Sequence, residues 1–108
     1  MKRGIELFDL SGRWALITGS SQGIGLALAR GLAGAGASVA LNGRDRARLS
    51  AAAATLRDEG VEVAELAFDA TDHDGVRAAV DAFEAGTGAI DILVNNAGMQ
   101  HRAPLEDF

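Results

Sequence analysis

The 108-residue sequence has no cysteine and no tyrosine, a single proline, and one lysine, Lys2. Without thiols it can form neither a disulfide framework nor a thiolate metal site, so no bound metal is expected and the composition fits a reducing, cytoplasmic setting. One proline, Pro104, argues against a long extended linker. The missing tyrosine and the isolation of Lys2 leave no phenol and no neighbouring ammonium with which to move a proton to or from a substrate. Long apolar runs are missing too. Glu6 and Asp9 interrupt the opening segment before it reaches signal-peptide length, and no stretch approaches the roughly 20 apolar residues that span a bilayer. A formal charge of -5 repels phosphate backbones and anionic headgroups, so neither nucleic acid nor a membrane is expected as a partner.

What is present is ordinary for a globular protein: 48% hydrophobic and 23% charged residues. The length allows one domain, which buries roughly 60 to 70% of the surface the extended chain exposes. Short apolar runs alternate with longer Ala-, Leu- and Arg-rich segments, the pattern of a parallel sheet covered by crossover helices. Four strands are predicted, over residues 14–18, 38–42, 61–68 and 90–95. Between the first two, residues 23–35 carry Ile24, Leu28 and Leu32 as one stripe of an amphipathic helix. A second helix over residues 46–59 presents Leu49, Ala52, Ala53 and Leu56, with Asp45 as its N-cap and Gly60 as its stop. The third begins at Asp72 or Asp74, buries Val76, Val80 and Phe83, and ends at Gly86. Right-handed crossovers put helices on both faces of the sheet. The expected fold class is therefore α/β, a Rossmann-like doubly wound parallel sheet.

The first strand runs into Thr18-Gly19-Ser20-Ser21-Gln22-Gly23-Ile24-Gly25. At Gly19 the chain must reverse while its N–H groups approach two phosphates, a conformation that side chains forbid. Gly23 removes a side chain where a pyrophosphate would sit, and Gly25 lets the first helix pack closely on the sheet. The helix N-terminus then points its dipole and free N–H groups at the anion. Ser20, Ser21 and Gln22 add polar donors to the loop. The same glycines also suit a plain strand-to-helix turn, since the G-x-G-x-x-G spacing is absent. Their context, with a strand before and a helix and second strand after, favours phosphate binding.

This glycine motif, with Asn95-Asn96-Ala97-Gly98 downstream, resembles the short-chain dehydrogenase/reductase family, from about Leu7 to Phe108. The resemblance implies a nicotinamide cofactor, and a catalytic serine with a Tyr-x-x-x-Lys pair further along the chain. Those catalytic residues do not occur here, so no catalytic residue is assigned. The chain reads as a single partial dinucleotide-binding domain, the N-terminal portion of a longer oxidoreductase, inactive by itself. Within the family the tracts 7–25 and 95–108 look most like the branch that interconverts gluconate and 5-ketogluconate. That implies a sugar acid or polyol as the small-molecule substrate, and a homo-oligomer at full length. A non-catalytic NAD(P)-binding or redox-sensing module is the alternative.

The cofactor-binding residues expected are Gly19, Ser21, Gln22, Gly23, Ile24, Gly25, Asn42, Arg44, Asp69, Asn95, Ala97 and Gly98. At the end of the second strand Gly43 fills the position where an acidic side chain would select NAD, and Arg44 follows. One charged hydrogen bond from a guanidinium to a 2′-phosphate favours NADP by about tenfold or more. The competing assignment makes Arg44 a solvated loop residue and Asp45 a ribose acceptor, giving NAD. NADP is preferred because Asp45 heads the second helix as its cap. In the family an aspartate matching Asp69 contacts the adenine amino group; a helix cap is the other role open to it. Asn95 and Asn96 end the fourth strand, where their amides can bridge neighbouring strands as well as face the cofactor. Met99-Gln100-His101-Arg102 would line the mouth of the cleft, with Arg102 free to pair with a sugar-acid carboxylate or to stay solvated. His101 alone reads as a surface residue. Trp14 is expected to pack on a sheet face or edge, away from cofactor.

Overall fold

Residues on both sides of the first two strands are apolar because helices cover both faces of the sheet at its centre. The computed structural model describes residues 9–99. Strands β1 (Trp14–Ile17), β2 (Ser38–Gly43), β3 (Val63–Ala67) and β4 (Ile92–Val94) form one parallel sheet in the order β3-β2-β1-β4. Helices α1 (Gly23–Gly34), α2 (Arg46–Asp58) and α3 (His73–Gly86) are the crossovers, and a short α4 (Asn96–Met99) follows β4. Ala15, Ile17, Val39, Leu41 and Val63 face α1 and α2, where Ala29, Leu49, Ala52, Ala53 and Leu56 complete one core layer. Leu16, Ala40, Leu66 and Phe68 form the other layer with Phe83, against which Val76 and Val80 of α3 pack. Trp14 joins that second layer through a T-shaped contact with Phe83, ring centroids 5.0 Å apart.

The chain reaches β3 at one edge, then crosses through α3 to β4 on the far side of β1. The winding reverses between β1 and β4, so the carboxyl ends of those strands, at Thr18 and Asn95, flank a switch point where open α/β sheets take their ligands.

Two helices begin as expected. The Asp45 carboxylate accepts from the N–H groups of Ala47 and Arg48 at 3.0 and 3.1 Å, and Asp72 rather than Asp74 caps α3 through Gly75 N–H. Helix α1 differs in the face it buries. Ile24 is 67% exposed and Leu28 38%, whereas Gly25 and Ala29 are buried and Leu26, Leu32 and Ala33 pack against the core. Close approach of the helix to the glycine turn selects its small residues for the contact and leaves the bulky pair outside. Strands β1, β3 and β4 are also shorter than predicted, whereas β2 runs one residue further, to Gly43. Val61 N–H bonds back to Leu56 and closes α2, and Ile90 N–H bonds to Glu84 at the end of α3, so neither residue is in the sheet.

Candidate active-site half: a nucleotide cavity

Gly19 adopts φ +59°, which turns the chain sharply at the end of β1. Gly25, one turn into the motif, faces that bend: a Cβ here would overlap the Gly19 carbonyl and come within 2.6 Å of the Asn96 amide nitrogen. The bend is therefore packed between the first turn of α1 and the end of β4, and only glycine fits. The Asn96 amide, buried at 1% exposure, donates to the Gly19 carbonyl at 3.0 Å. Thr18 Oγ1 donates to the Asn95 side-chain oxygen at 3.2 Å and accepts from Ala97 N–H at 3.0 Å. Both asparagines thus bridge β4 to β1, as the sequence suggests.

Asn42 ties the other side. Its side-chain oxygen accepts from Gly19 N–H at 2.9 Å, while its amide donates to the carbonyls of Leu66 and Phe68, each at 3.0 Å. One buried side chain thereby joins the ends of β1, β2 and β3. Ser20 is fully buried; its hydroxyl donates to the Ile17 carbonyl at 2.6 Å and accepts from Asn42 N–H at 2.9 Å. Ser20 is consequently not one of the loop's outward donors, a correction to the sequence reading. Its small hydroxyl is needed inside, where the turn crosses β2.

The N-terminus of α1 stands apart from those of α2 and α3. Its N-cap, Gln22, makes no side-chain capping bond, and its first turn carries no acidic residue. The first N–H groups of this helix lack the carboxylate partner that Asp45 and Asp72 supply to the other two. They open on a cavity of about 730 Å³. Gly19, Ser21, Gln22, Gly23, Asn42, Arg44, Asp69 and Ala97 line it, together with Gly43, Asp45, Arg48, Phe68, Ala70 and Thr71.

Eight residues anticipated from the sequence therefore share one cavity. Ile24, Gly25 and Asn95 are not in its lining: Ile24 is exposed, and Gly25 and Asn95 shape the turn from behind. Gly98 lies in α4, and His101 and Arg102 fall outside the described residues. Arg48 was missed, because an arginine in the first turn of a helix looks like part of a solvated face. Gly43 has a local reason as well. A Cβ there would sit 3.0 Å from the Ser21 hydroxyl, so the loop and the end of β2 share that space.

Two guanidinium groups, Arg44 and Arg48, and two carboxylates, Asp45 and Asp69, line the cavity. Asp69 Oδ1 accepts from Thr71 N–H at 2.9 Å and from its hydroxyl at 2.7 Å, and the other oxygen lies 3.8 Å from the Arg44 guanidinium. The Thr71 bonds first, and the Arg44 charge after them, hold the Asp69 carboxyl below the usual carboxylate range. Asp69 stays anionic at neutral pH and remains an acceptor. Among the described residues there is no cluster of three side chains able to hold a metal ion, and no helix long and apolar enough to cross a membrane.

A glycine turn at the end of β1, an uncapped helix beyond it and an Asn-Asn-Ala-Gly strand end describe a class of dinucleotide-binding oxidoreductases. The sequence profile of the short chain dehydrogenase family matches residues 13–108, and the chain belongs to that family. It is 53% identical over 103 residues to a gluconate 5-dehydrogenase of Gluconobacter oxydans, covering 95% of this chain and 40% of that protein. A 5-keto-D-gluconate 5-reductase of Escherichia coli is 43% identical, with 95% and 41% covered. Among solved structures, a gluconate 5-dehydrogenase from Burkholderia cenocepacia in complex with NADP and tartrate superposes with a TM-score of 0.84 at 55% identity. That match covers 98% of this chain and 42% of the other. An L-sorbose reductase from Gluconobacter frateurii, complexed with NADPH and L-sorbose, superposes at 0.79 with 43% identity, over 94% of this chain and 39% of that one. The chain spans about two fifths of the length of these relatives.

Proposed function

We propose that this chain is the cofactor-binding part of an NADP-dependent short-chain oxidoreductase that interconverts gluconate and 5-ketogluconate. The observation that carries the reading is the α1 N-terminus. It is left without a side-chain cap, lies beside a left-handed Gly19, and opens on the cavity that also holds Arg44. The fit to a dinucleotide rests on the cradle itself: Gly19 turns in the left-handed region, and the first turn of α1 carries no carboxylate that would repel a diphosphate. When bound, the nicotinamide cofactor supplies the hydride that is exchanged with a carbinol or ketone carbon.

The chain's own residues have separate tasks. Beyond Ser20, whose N–H and that of Gly19 are taken by Asn42, the chain from Ser21 into the first turn of α1 offers N–H groups to the diphosphate, and Arg44 meets a 2′-phosphate at the end of β2. Asp69 accepts from the adenine amino group, while Thr18, Asn95 and Asn96 keep the strand ends in place. Asp45 is occupied as a helix cap, which supports NADP over NAD. The substrate assignment draws on the similarity to sugar-acid dehydrogenases and reductases. Those relatives give a non-catalytic sensor module no support.

With no tyrosine and no lysine but Lys2, these 108 residues alone hold no proton donor of the Tyr-Lys type. Titration with NADPH, followed by nicotinamide fluorescence, is expected to report saturable binding, and 5-ketogluconate is expected to remain unreduced. Reduction by this chain alone would overturn the partition between binding and chemistry, and failure to bind either NADPH or NADH would overturn the cofactor reading.

A further inference from the structure

Two guanidinium groups line the cavity, and only one of them is in an ion pair among the described residues. Arg44 has the Asp69 carboxylate 3.8 Å away. Arg48 lines the same cavity from the first turn of α2, and among the described residues it has no ion-pair partner. The nearby Asp45 carboxylate is engaged by two backbone N–H groups, one of them Arg48's own. Helix geometry fixes the Cα of Arg48, because the Asp45 cap holds its peptide while leaving its side chain available.

We propose that Arg48 is a second anchor for the cofactor's 2′-phosphate, closing a two-guanidinium clamp with Arg44 at the adenosine end of the cavity. The proposal rests on the NADP reading above and adds to it a guanidinium with no ion-pair partner among the described residues. A phosphomonoester carries close to two negative charges at neutral pH, more than one guanidinium already shared with Asp69 can balance. A second fork-shaped donor from the first turn of α2 supplies both charge and bonding geometry. Phosphate discrimination in this chain is thus divided between the β2–α2 loop and the helix that follows.

The probe pair is adenosine 2′,5′-bisphosphate and adenosine 5′-monophosphate, which differ only in the 2′-phosphate and need only the part of the site this chain lines. Calorimetry at low salt is expected to give tighter binding of the bisphosphate. R48Q should weaken the bisphosphate about fivefold or more and leave the monophosphate within about twofold, since screened surface charges act modestly but selectively. R48K, which keeps the charge, should recover most of the loss. Circular dichroism spectra matching the parent establish that each variant is folded. Equal binding of the bisphosphate by R48Q and the parent, with the parent still preferring it, would overturn the clamp and leave the NADP reading standing. Equal losses for both nucleotides would overturn it as well. A parent chain that binds neither nucleotide would remove the reading beneath the proposal.

Discussion

Replacing Gly25 with alanine adds one methyl group at the most crowded contact of the nucleotide turn. The new Cβ would overlap the Gly19 carbonyl, lie 2.9 Å from its carbon, and reach within 2.6 Å of the Asn96 amide nitrogen. None of these is the far end of a flexible chain, because Gly19 is backbone and Asn96 is buried. Overpacking of this kind costs about 1–3 kcal/mol, and losing the Asn96 to Gly19 hydrogen bond adds about 1 kcal/mol, for a total of about 2 to 4. Gly31 in the same helix provides the control. A Cβ at Gly31 meets nothing within 4 Å, so alanine there should stabilise by about 0.5–1 kcal/mol through helix propensity. Urea unfolding followed by circular dichroism at 222 nm reads both changes. With an m-value of about 2 kcal/mol/M, G25A should lower the midpoint by about 1 to 2 M while G31A raises it slightly. Equal midpoints for the two variants would refute the reasoning, since they differ in packing and share the same chemistry.

Changing Asn42 to Asp keeps the shape but removes the donor to the Leu66 and Phe68 carbonyls, placing a carboxylate against them. A loss of about 3 kcal/mol or more is expected by thermal unfolding at pH 7, and a change under 1 kcal/mol would show that the three-strand junction does not depend on this amide. Hydrogen bonds from Ser50 and Arg57 depress the Glu65 carboxyl, and those from Thr71 depress Asp69. A lowered folded value means stability that is present above the unfolded carboxylate pKa of about 4 and lost as pH falls through the folded value. E65Q should therefore flatten the fall of the melting temperature below about pH 4, and an unchanged slope would count against that pair. Leu93 is 65% exposed on the edge strand β4, so L93K should raise the concentration at which the chain self-associates in sedimentation. Its unfolding free energy should stay within about 0.5 kcal/mol.

How far the sequence disclosed the structure varies by element. Helix α2 was fully legible because a cap, a four-residue apolar set and a terminal glycine agree, and all of Leu49, Ala52, Ala53 and Leu56 are buried. Helix α1 was legible as a helix but not in its orientation. Its sequence is apolar almost all round, so periodicity offered two faces, and the choice between them was made by the tertiary contact at Gly25. Strand ends were misjudged where an apolar residue serves a helix terminus, as Val61 does for α2. In the cavity, glycines and charged residues near strand ends announced themselves. The scaffold roles of Asn42 and Ser20 did not, because a polar residue beside a ligand loop looks the same whether it faces inward or outward.

The Asn42 junction separates what must stay fixed from what can change. Three strand ends hang from that single amide, whereas Arg44 and Arg48 occupy the rim beyond it, each held only through its own backbone or one exposed ion pair. Side chains on that rim can therefore be exchanged without loosening the sheet, because the junction that joins the strands lies beneath them.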